Sequence, residues 1–163
     1  VSSQKGWIKI NTDAALNQKM NKAGWGVVAR DSKGKVLITW ATPRSSCSEA
    51  RLEEALAFRE AMIRAKTRAW RKVEFESDWK MIIDKMVDNS TGDILTSTVL
   101  NDIRKLKRCF DKCCFSFTKR ENNCVSHSLA RFAVNCLNEV EWEGNFPAWL
   151  LEAAQADVKE QLH

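Results

Sequence analysis

The 163-residue chain has the length of one domain, and its 44% apolar and 29% charged residues are ordinary for a folded protein with a hydrophobic core. Its apolar stretches are only a few residues long, as at 81–83, so the sequence predicts no membrane span. The net charge of +5 permits an anionic partner without establishing one. No signal-peptide pattern is visible, which favours an intracellular protein, nuclear or cytoplasmic. Because residue 1 is Val rather than Met, we expect a domain of a longer chain.

The predicted elements begin with an antiparallel meander and continue with alternating helices and strands. Strands are predicted over 7–13, 24–30, 35–41, 72–76 and 114–118, and helices over 49–68, 78–87, 96–110 and 125–139. This βββαβαβα order predicts an α/β fold, in which helices flank a mixed five-stranded sheet. Residues 5–140 are assigned to this domain. Residues 141–163 are assigned to a C-terminal appendage with a short helix from Leu150.

Metal and nucleophile motifs built on cysteine or histidine are weak in this sequence. The six cysteines lack the paired spacing of structural zinc sites, and the only histidines are His127 and His163. The glycines match neither of the common phosphate-binding loop patterns. Reduced thiols and no zinc are therefore expected.

Acidic residues at the predicted element ends are the strongest chemical signal. Asp13 ends the first predicted strand, Asp78 follows the fourth, and Glu53 and Glu54 lie early in the long helix. If the first and fourth strands are neighbours, a three-carboxylate cluster forms at one edge of the sheet. Such a cluster suits Mg²⁺, which prefers oxygen ligands and relieves the repulsion between carboxylates. The alternative is structural, with Asp78 capping a helix and Asp13 holding a turn.

Several blocks together resemble the type 1 ribonuclease H domains of plants, which occur alone or at the ends of non-LTR retrotransposon reverse transcriptases. KINTDAA at 9–15 and AGWGVVARD at 23–31 resemble the opening of the family. The other blocks are EALAFREA at 54–61, VEFESD at 73–78, REN and HSLA between 120 and 130, and the Trp- and Pro-containing stretch at 142–149. Their order and spacing make the match specific.

The resemblance implies a ribonuclease H-like fold and metal-dependent endonucleolytic hydrolysis of the RNA strand of RNA–DNA hybrids. It implies that Asp13, Glu54 and Asp78 hold two Mg²⁺ ions, with Mn²⁺ as the alternative metal, and that Asp13 bridges them. Glu53 competes with Glu54 for this role, and Glu54 is preferred because Ala-Leu-Ala follows it. His127 falls at the position of a fourth carboxylate. A neutral imidazole there can bind a metal or move protons, or it can simply begin a helix.

Two departures from the bacterial members leave alternatives open. Those members have a pair of asparagines shortly before the helix Glu that contact RNA 2′-hydroxyls, whereas this neighbourhood here reads Cys47-Ser48-Glu49-Ala50-Arg51. The segment 89–96 is too short for a basic handle helix, so hybrid binding would depend on other basic positions or on a tethered domain. The alternative for these basic positions is a solvated helix face. They are Arg64, Lys66, Arg68, Arg71 and Lys72. The alternative functions are a catalytically impaired nucleic-acid-binding module of the same fold and a related nuclease that acts on DNA.

Overall fold

A mixed β-sheet lies at the centre of the computed structural model, which describes residues 6–80, 83 and 94–161. Within these residues the sheet has six strands, in the order β5-β4-β1-β2-β3-β6. The strands are β1 (Ile8–Asn17), β2 (Lys22–Arg30), β3 (Val36–Arg44), β4 (Lys72–Ser77), β5 (Lys112–Phe117) and β6 (Val140–Glu143). The pairs β1–β4 and β4–β5 are parallel, and the pairs β1–β2, β2–β3 and β3–β6 are antiparallel.

Helices cover both faces of the sheet. Those with described bounds are α1 (Ala50–Thr67), α2 (Ile94–Lys107), α3 (Cys124–Val134) and α4 (Ala148–Gln161), and a short 3₁₀ helix at Arg120–Asn122 precedes α3. The strands are buried on both faces because neighbouring side chains alternate between two clusters. Val27 packs in the cluster that includes residues of α1 and α2, whereas Val28 packs in the cluster formed with α3 and α4. No described helix combines the length and apolar character needed to cross a bilayer.

The predicted α/β architecture is confirmed, with differences in detail. The described residues form six strands rather than five, because Val140–Glu143 pairs with β3. Strand β1 does not end at Asp13 but runs on to Asn17, since β2 continues to pair with it as far as Lys22.

The helix boundaries also differ from the predictions. Helix α3 ends at Val134 rather than at 139, because the chain must turn before β6. The C-terminal helix is longer than expected and begins at Ala148. The helix predicted over 78–87 lies largely outside the described residues. The division of the chain at residue 140 stays a prediction.

Two glycines of β2 let α3 lie directly on the sheet. A Cβ atom on Gly26 would lie 2.1 Å from the carbonyl oxygen of Ser126 and 2.6 Å from the amide nitrogen of Ala130. A Cβ atom on Gly24 would lie 2.3 Å from the carbonyl oxygen of Ala130. These contacts are with backbone atoms, which cannot swing aside, so any larger residue must displace the helix.

We expect Gly26→Ala to lower the free energy of unfolding by about 2–3 kcal/mol or more, because overpacking against a helix backbone forces α3 away from the sheet. The measurement is urea denaturation followed by circular dichroism. Gly34→Ala is the matched control, because Gly34 has a φ of +85° but no atom near its Cβ position. Gly34→Ala should lower the free energy of unfolding by about 1–2 kcal/mol, through backbone strain alone. Equal losses in the two variants would contradict the close-packing account.

Candidate active site

Three carboxylates converge at one edge of the sheet. Asp13 lies within β1, Asp78 directly follows β4, and Glu54 lies early in α1. One ligand atom from each of the three side chains lies within 4.8 Å of the others. The parallel register places Thr12 opposite Ser77, so the next residues along, Asp13 and Asp78, come together. The sequence prediction required β1 and β4 to be neighbours, and they are.

Glu53 and Glu54 are neighbours in α1 but contact different groups. Glu53 is fully buried and accepts hydrogen bonds from the Trp25 indole at 2.9 Å and from the Ser48 amide at 3.2 Å. Its Oε1 atom also lies 3.3 Å from the Arg44 Nε atom. Glu53 therefore ties β2, β3 and the following loop to the helix. Consecutive helical residues point about 100° apart, so Glu54 is the one that faces the cluster.

Glu54 is held in place by the strand beside it. Its Oε1 atom accepts a hydrogen bond of 3.1 Å from the backbone amide of Ala14, the residue after Asp13. Among the described residues, the buried atoms Glu54 Oε2 and Asp78 Oδ2 have no hydrogen-bond partner. A buried carboxylate oxygen without a donor is costly, so these two atoms are suited to accept a cation.

Repulsion dominates the electrostatics of the cluster. Two unit charges at the outer limit of this spacing, 4.8 Å, repel by about 3.5 kcal/mol at an effective dielectric constant of about 20. Burial raises the pKa of Glu54 well above its ordinary value. The charge of Asp13, a hydrogen bond between protonated Glu54 and Asp13, and the charge of Asp78 raise this pKa further. Burial and the Asp13 charge also raise the pKa of Asp78, although Arg120, Asn123 and His127 oppose this change. The donor set is all oxygen and negatively charged, which fits a hard divalent cation.

His127 lies beside the cluster, in the first turn of α3. Its Nδ1 atom is 2.8 Å from Asp13 Oδ2 and 3.0 Å from an Arg120 Nη2 atom. A neutral ring can donate from Nδ1 or accept there, but not both. With Asp13 ionised, the Nδ1–H tautomer fits, because it donates to the carboxylate. The lone pair then lies on Nε2, where the ring can take up a proton or bind a metal.

Packing of α3 onto glycine brings His127 to this position. Gly26 pairs with Asp13 across the β1–β2 ladder, and the helix backbone at Ser126 lies directly over Gly26. The next residue of the helix, His127, therefore meets the Asp13 side chain. Glycine within a strand is typical of a close approach by another backbone or a ligand, and at Gly24 and Gly26 this neighbour is α3.

Two buried asparagines beside the site carry roles that sequence analysis did not assign. Asn123 donates to the carbonyl oxygen of Thr12 at 3.1 Å. Asn11 donates to Glu76 at 2.9 Å and to Asn123 at 3.1 Å. Both asparagines are 1% exposed. An asparagine between apolar and β-branched residues in a predicted strand is the signal that could have identified Asn11, because such a group requires buried partners.

Most of the basic positions considered for hybrid binding are engaged within the chain. Arg64 pairs with Glu60 and Glu139, Arg68 pairs with Glu143, and Arg71 pairs with Asp111. The aromatic residues pack as well: Trp25 and Trp40 are buried, and Trp79 lies against the larger core cluster. For the three arginines, these ion pairs favour a role in stabilising the protein surface over a role in hybrid binding. Lys66 is exposed.

Solved structures of ribonucleases H resemble the fold at low sequence identity. RNase H1 from the archaeon Halobacterium salinarum superposes with a TM-score of 0.74 at 18% identity, covering 79% of this chain and 98% of that one. The N-terminal RNase H domain of a Mycobacterium tuberculosis protein gives 0.71 at 15% identity, covering 92% and 97%. LC11-RNase H1, solved in complex with an RNA/DNA hybrid, gives 0.71 at 21% identity, covering 78% and 96%.

Sequence comparison identifies the family. No curated protein sequence matches the chain significantly. The family model described as reverse transcriptase-like matches residues 11–133, which is most of the chain and includes all three clustered carboxylates and His127. The chain therefore belongs to the reverse transcriptase-like family and has the ribonuclease H-like fold.

Proposed function

We propose that this protein is a ribonuclease H of the plant and retrotransposon type, which hydrolyses the RNA strand of RNA–DNA hybrids with divalent metal ions. The observation that supports this most strongly is the convergence of Asp13, Glu54 and Asp78, with two buried oxygens that lack partners among the described residues. The solved complex of LC11-RNase H1 with a hybrid supports the choice of substrate.

In this proposal Asp13, Glu54 and Asp78 are the residues that would hold two divalent ions, Mg²⁺ or Mn²⁺. When bound, these ions lower the pKa of a water molecule and neutralise charge on the phosphodiester. The protein's part is to hold the carboxylates in place: Asp13 by the β1 ladder, and Glu54 by the Ala14 amide. His127 accepts or delivers a proton at Nε2, and the Arg120 guanidinium adds positive charge where the phosphate backbone must approach.

The second candidate is a nucleic-acid-binding module of the same fold with impaired catalysis. The observation that favours it is His127 itself, because an imidazole supplies no negative charge where related enzymes have a carboxylate. The amides of Cys47 and Ser48 are also engaged internally, with Asn21 and Glu53, in the region where bacterial members contact RNA. Measurable hybrid binding without cleavage in either metal would support this second candidate.

Asp13→Asn should abolish cleavage of an RNA–DNA hybrid, with a loss of roughly 10³-fold or more, because it removes a charge from the metal site without changing the side chain's shape. The measurement is single-turnover cleavage of a hybrid labelled on the RNA strand. Asp102→Asn is the matched control, because Asp102 pairs with Arg59 away from the cluster. Undiminished cleavage by Asp13→Asn would contradict the site assignment.

His127→Ala should lower the cleavage rate partially, by about 10- to 100-fold, because the metal-binding carboxylates remain. His127→Asn separates the hydrogen bond to Asp13 from proton transfer. Its side-chain amide can still donate a hydrogen bond to Asp13 but cannot transfer a proton. If proton transfer matters, both variants should be impaired. Full activity in both would assign His127 to the start of the helix alone.

Divalent ions should reverse a pH-dependent loss of stability that Glu54 causes. Because the pKa of Glu54 is raised in the folded, metal-free protein, its contribution to stability is present below the ordinary carboxyl range and is lost as the pH rises through the raised value. The free energy of unfolding of the wild type should therefore fall relative to that of Glu54→Gln as the pH rises.

Urea denaturation across the pH range, with a chelator or with Mg²⁺, measures this effect. At neutral pH, Mg²⁺ should raise the stability of the wild type, but raise that of Glu54→Gln much less. Parallel curves for the two proteins, and equal responses to Mg²⁺, would refute a metal-binding carboxylate at position 54.

A further inference from the structure

A buried carboxylate in the last helix, Asp157, lies outside the segment that the family model matches. It is 2% exposed, although aspartate is almost never fully buried unless it is paired. Asp157 Oδ2 forms a salt bridge of 2.8 Å with Arg30. Asp157 Oδ1 accepts a hydrogen bond of 2.6 Å from the backbone amide of Cys124, and Oδ2 lies 3.3 Å from the amide of Val125. The carboxylate therefore joins α4, β2 and the first turn of α3.

These contacts replace the local cap that α3 lacks. Asn123 precedes the helix, but its side chain makes no capping hydrogen bond and reaches instead to β1. The first amides of α3 are satisfied by a residue 33 positions further along the chain. A negative charge at a helix N-terminus also interacts favourably with the helix dipole. The turn that Asp157 caps in this way is the one that carries His127.

The network continues from Asp157 to the two residues of β1 that precede Asp13. Arg30, which is itself 7% exposed, lies with Nη1 3.3 Å from Asn11 Oδ1. Asn11 is two residues before Asp13 on the same face of β1. Asn11 also donates to Asn123, which in turn donates to the carbonyl oxygen of Thr12, the residue before Asp13.

We infer that Asp157 is a positioning residue for the active site, and that the C-terminal helix completes the site by fixing the α3 N-terminus so that His127 meets Asp13. This inference rests on the proposed function, in which His127 takes part in hydrolysis. Asp157 touches neither substrate nor reacting atoms. Asp157 affects the rate of hydrolysis by fixing the orientation of His127.

The kinetic test is a double-mutant cycle between positions 157 and 127. Asp157→Asn should lower kcat by roughly tenfold while changing KM less than about twofold, because misplacing a reacting group slows the chemical step rather than binding. In the His127→Ala background the same change should have almost no further effect on kcat. Glu152→Gln, at an exposed position of the same helix, is the matched control and should leave kcat unchanged. A full additional tenfold loss in the His127→Ala background would overturn the inference.

A spectroscopic test needs no catalytic activity, so it separates this inference from the proposed function. The ¹⁵N shifts of the His127 ring in the metal-free protein should report the Nδ1–H tautomer in the wild type and in Glu152→Gln. They should shift toward a mixture of tautomers in Asp157→Asn. Unchanged ring signals would overturn the inference even if the wild type cleaves no substrate. If Asp157→Asn does not fold, Asp157→Ser, which keeps a small acceptor for the helix amides, takes its place. Failure of both variants to fold would assign Asp157 to folding alone and also overturn the inference.

Discussion

Repulsion among three carboxylates is the constraint around which this structure is arranged. One ligand atom each of Asp13, Glu54 and Asp78 lies within 4.8 Å of the others, because β1, the end of β4 and the first turns of α1 meet there. Parallel pairing of β1 with β4 brings the two aspartates together, and the Ala14 amide holds Glu54. The large core between the sheet and helices α1 and α2 supplies the apolar burial that offsets this unfavourable arrangement. Enzymes concentrate such locally unfavourable groups where chemistry needs them.

The other side of the site depends on how closely α3 approaches the sheet. Gly26 lies opposite Asp13 in the ladder, and the helix backbone occupies the space where a side chain would be. The packing of the α3 backbone on Gly26 therefore places His127 beside Asp13. A polar network lies next to the same helix turn and consists of Asn123, Asn11, Arg30 and Asp157. Elements distant in sequence thus share one small volume, which links the C-terminal helix to the site.

Local patterns were sufficient for the architecture because the longer strands are bounded by turn residues and the long helix α1 is rich in Ala, Glu, Leu and Arg, which favour helix. The preference for Glu54 over Glu53 depended on the resemblance to ribonuclease H domains, in which Ala-Leu-Ala follows the helix Glu, and its role as a metal ligand stays a prediction. The structure places Glu53 among Trp25, Arg44 and Ser48. Strand β6 was missed because it is only four residues long and owes its existence to pairing with β3. The role of Asp157 was also beyond local patterns, since its partners lie up to 127 residues away. Catalytic roles and metal identity stay predictions, because position and burial do not report chemistry.

In the proposed function the carboxylate cluster, assisted by His127, supports metal-dependent hydrolysis of RNA paired with DNA. The most direct measurement is incubation of the wild-type protein with an RNA–DNA hybrid in Mg²⁺ or Mn²⁺, beside RNA duplex and DNA duplex of the same sequence, followed by analysis of the product ends. We expect cleavage of the hybrid's RNA strand alone, at internal positions, with 3′-hydroxyl and 5′-phosphate ends, and no cleavage in the presence of a chelator. No cleavage in either metal, or equal cleavage of the DNA duplex, would contradict the proposed function.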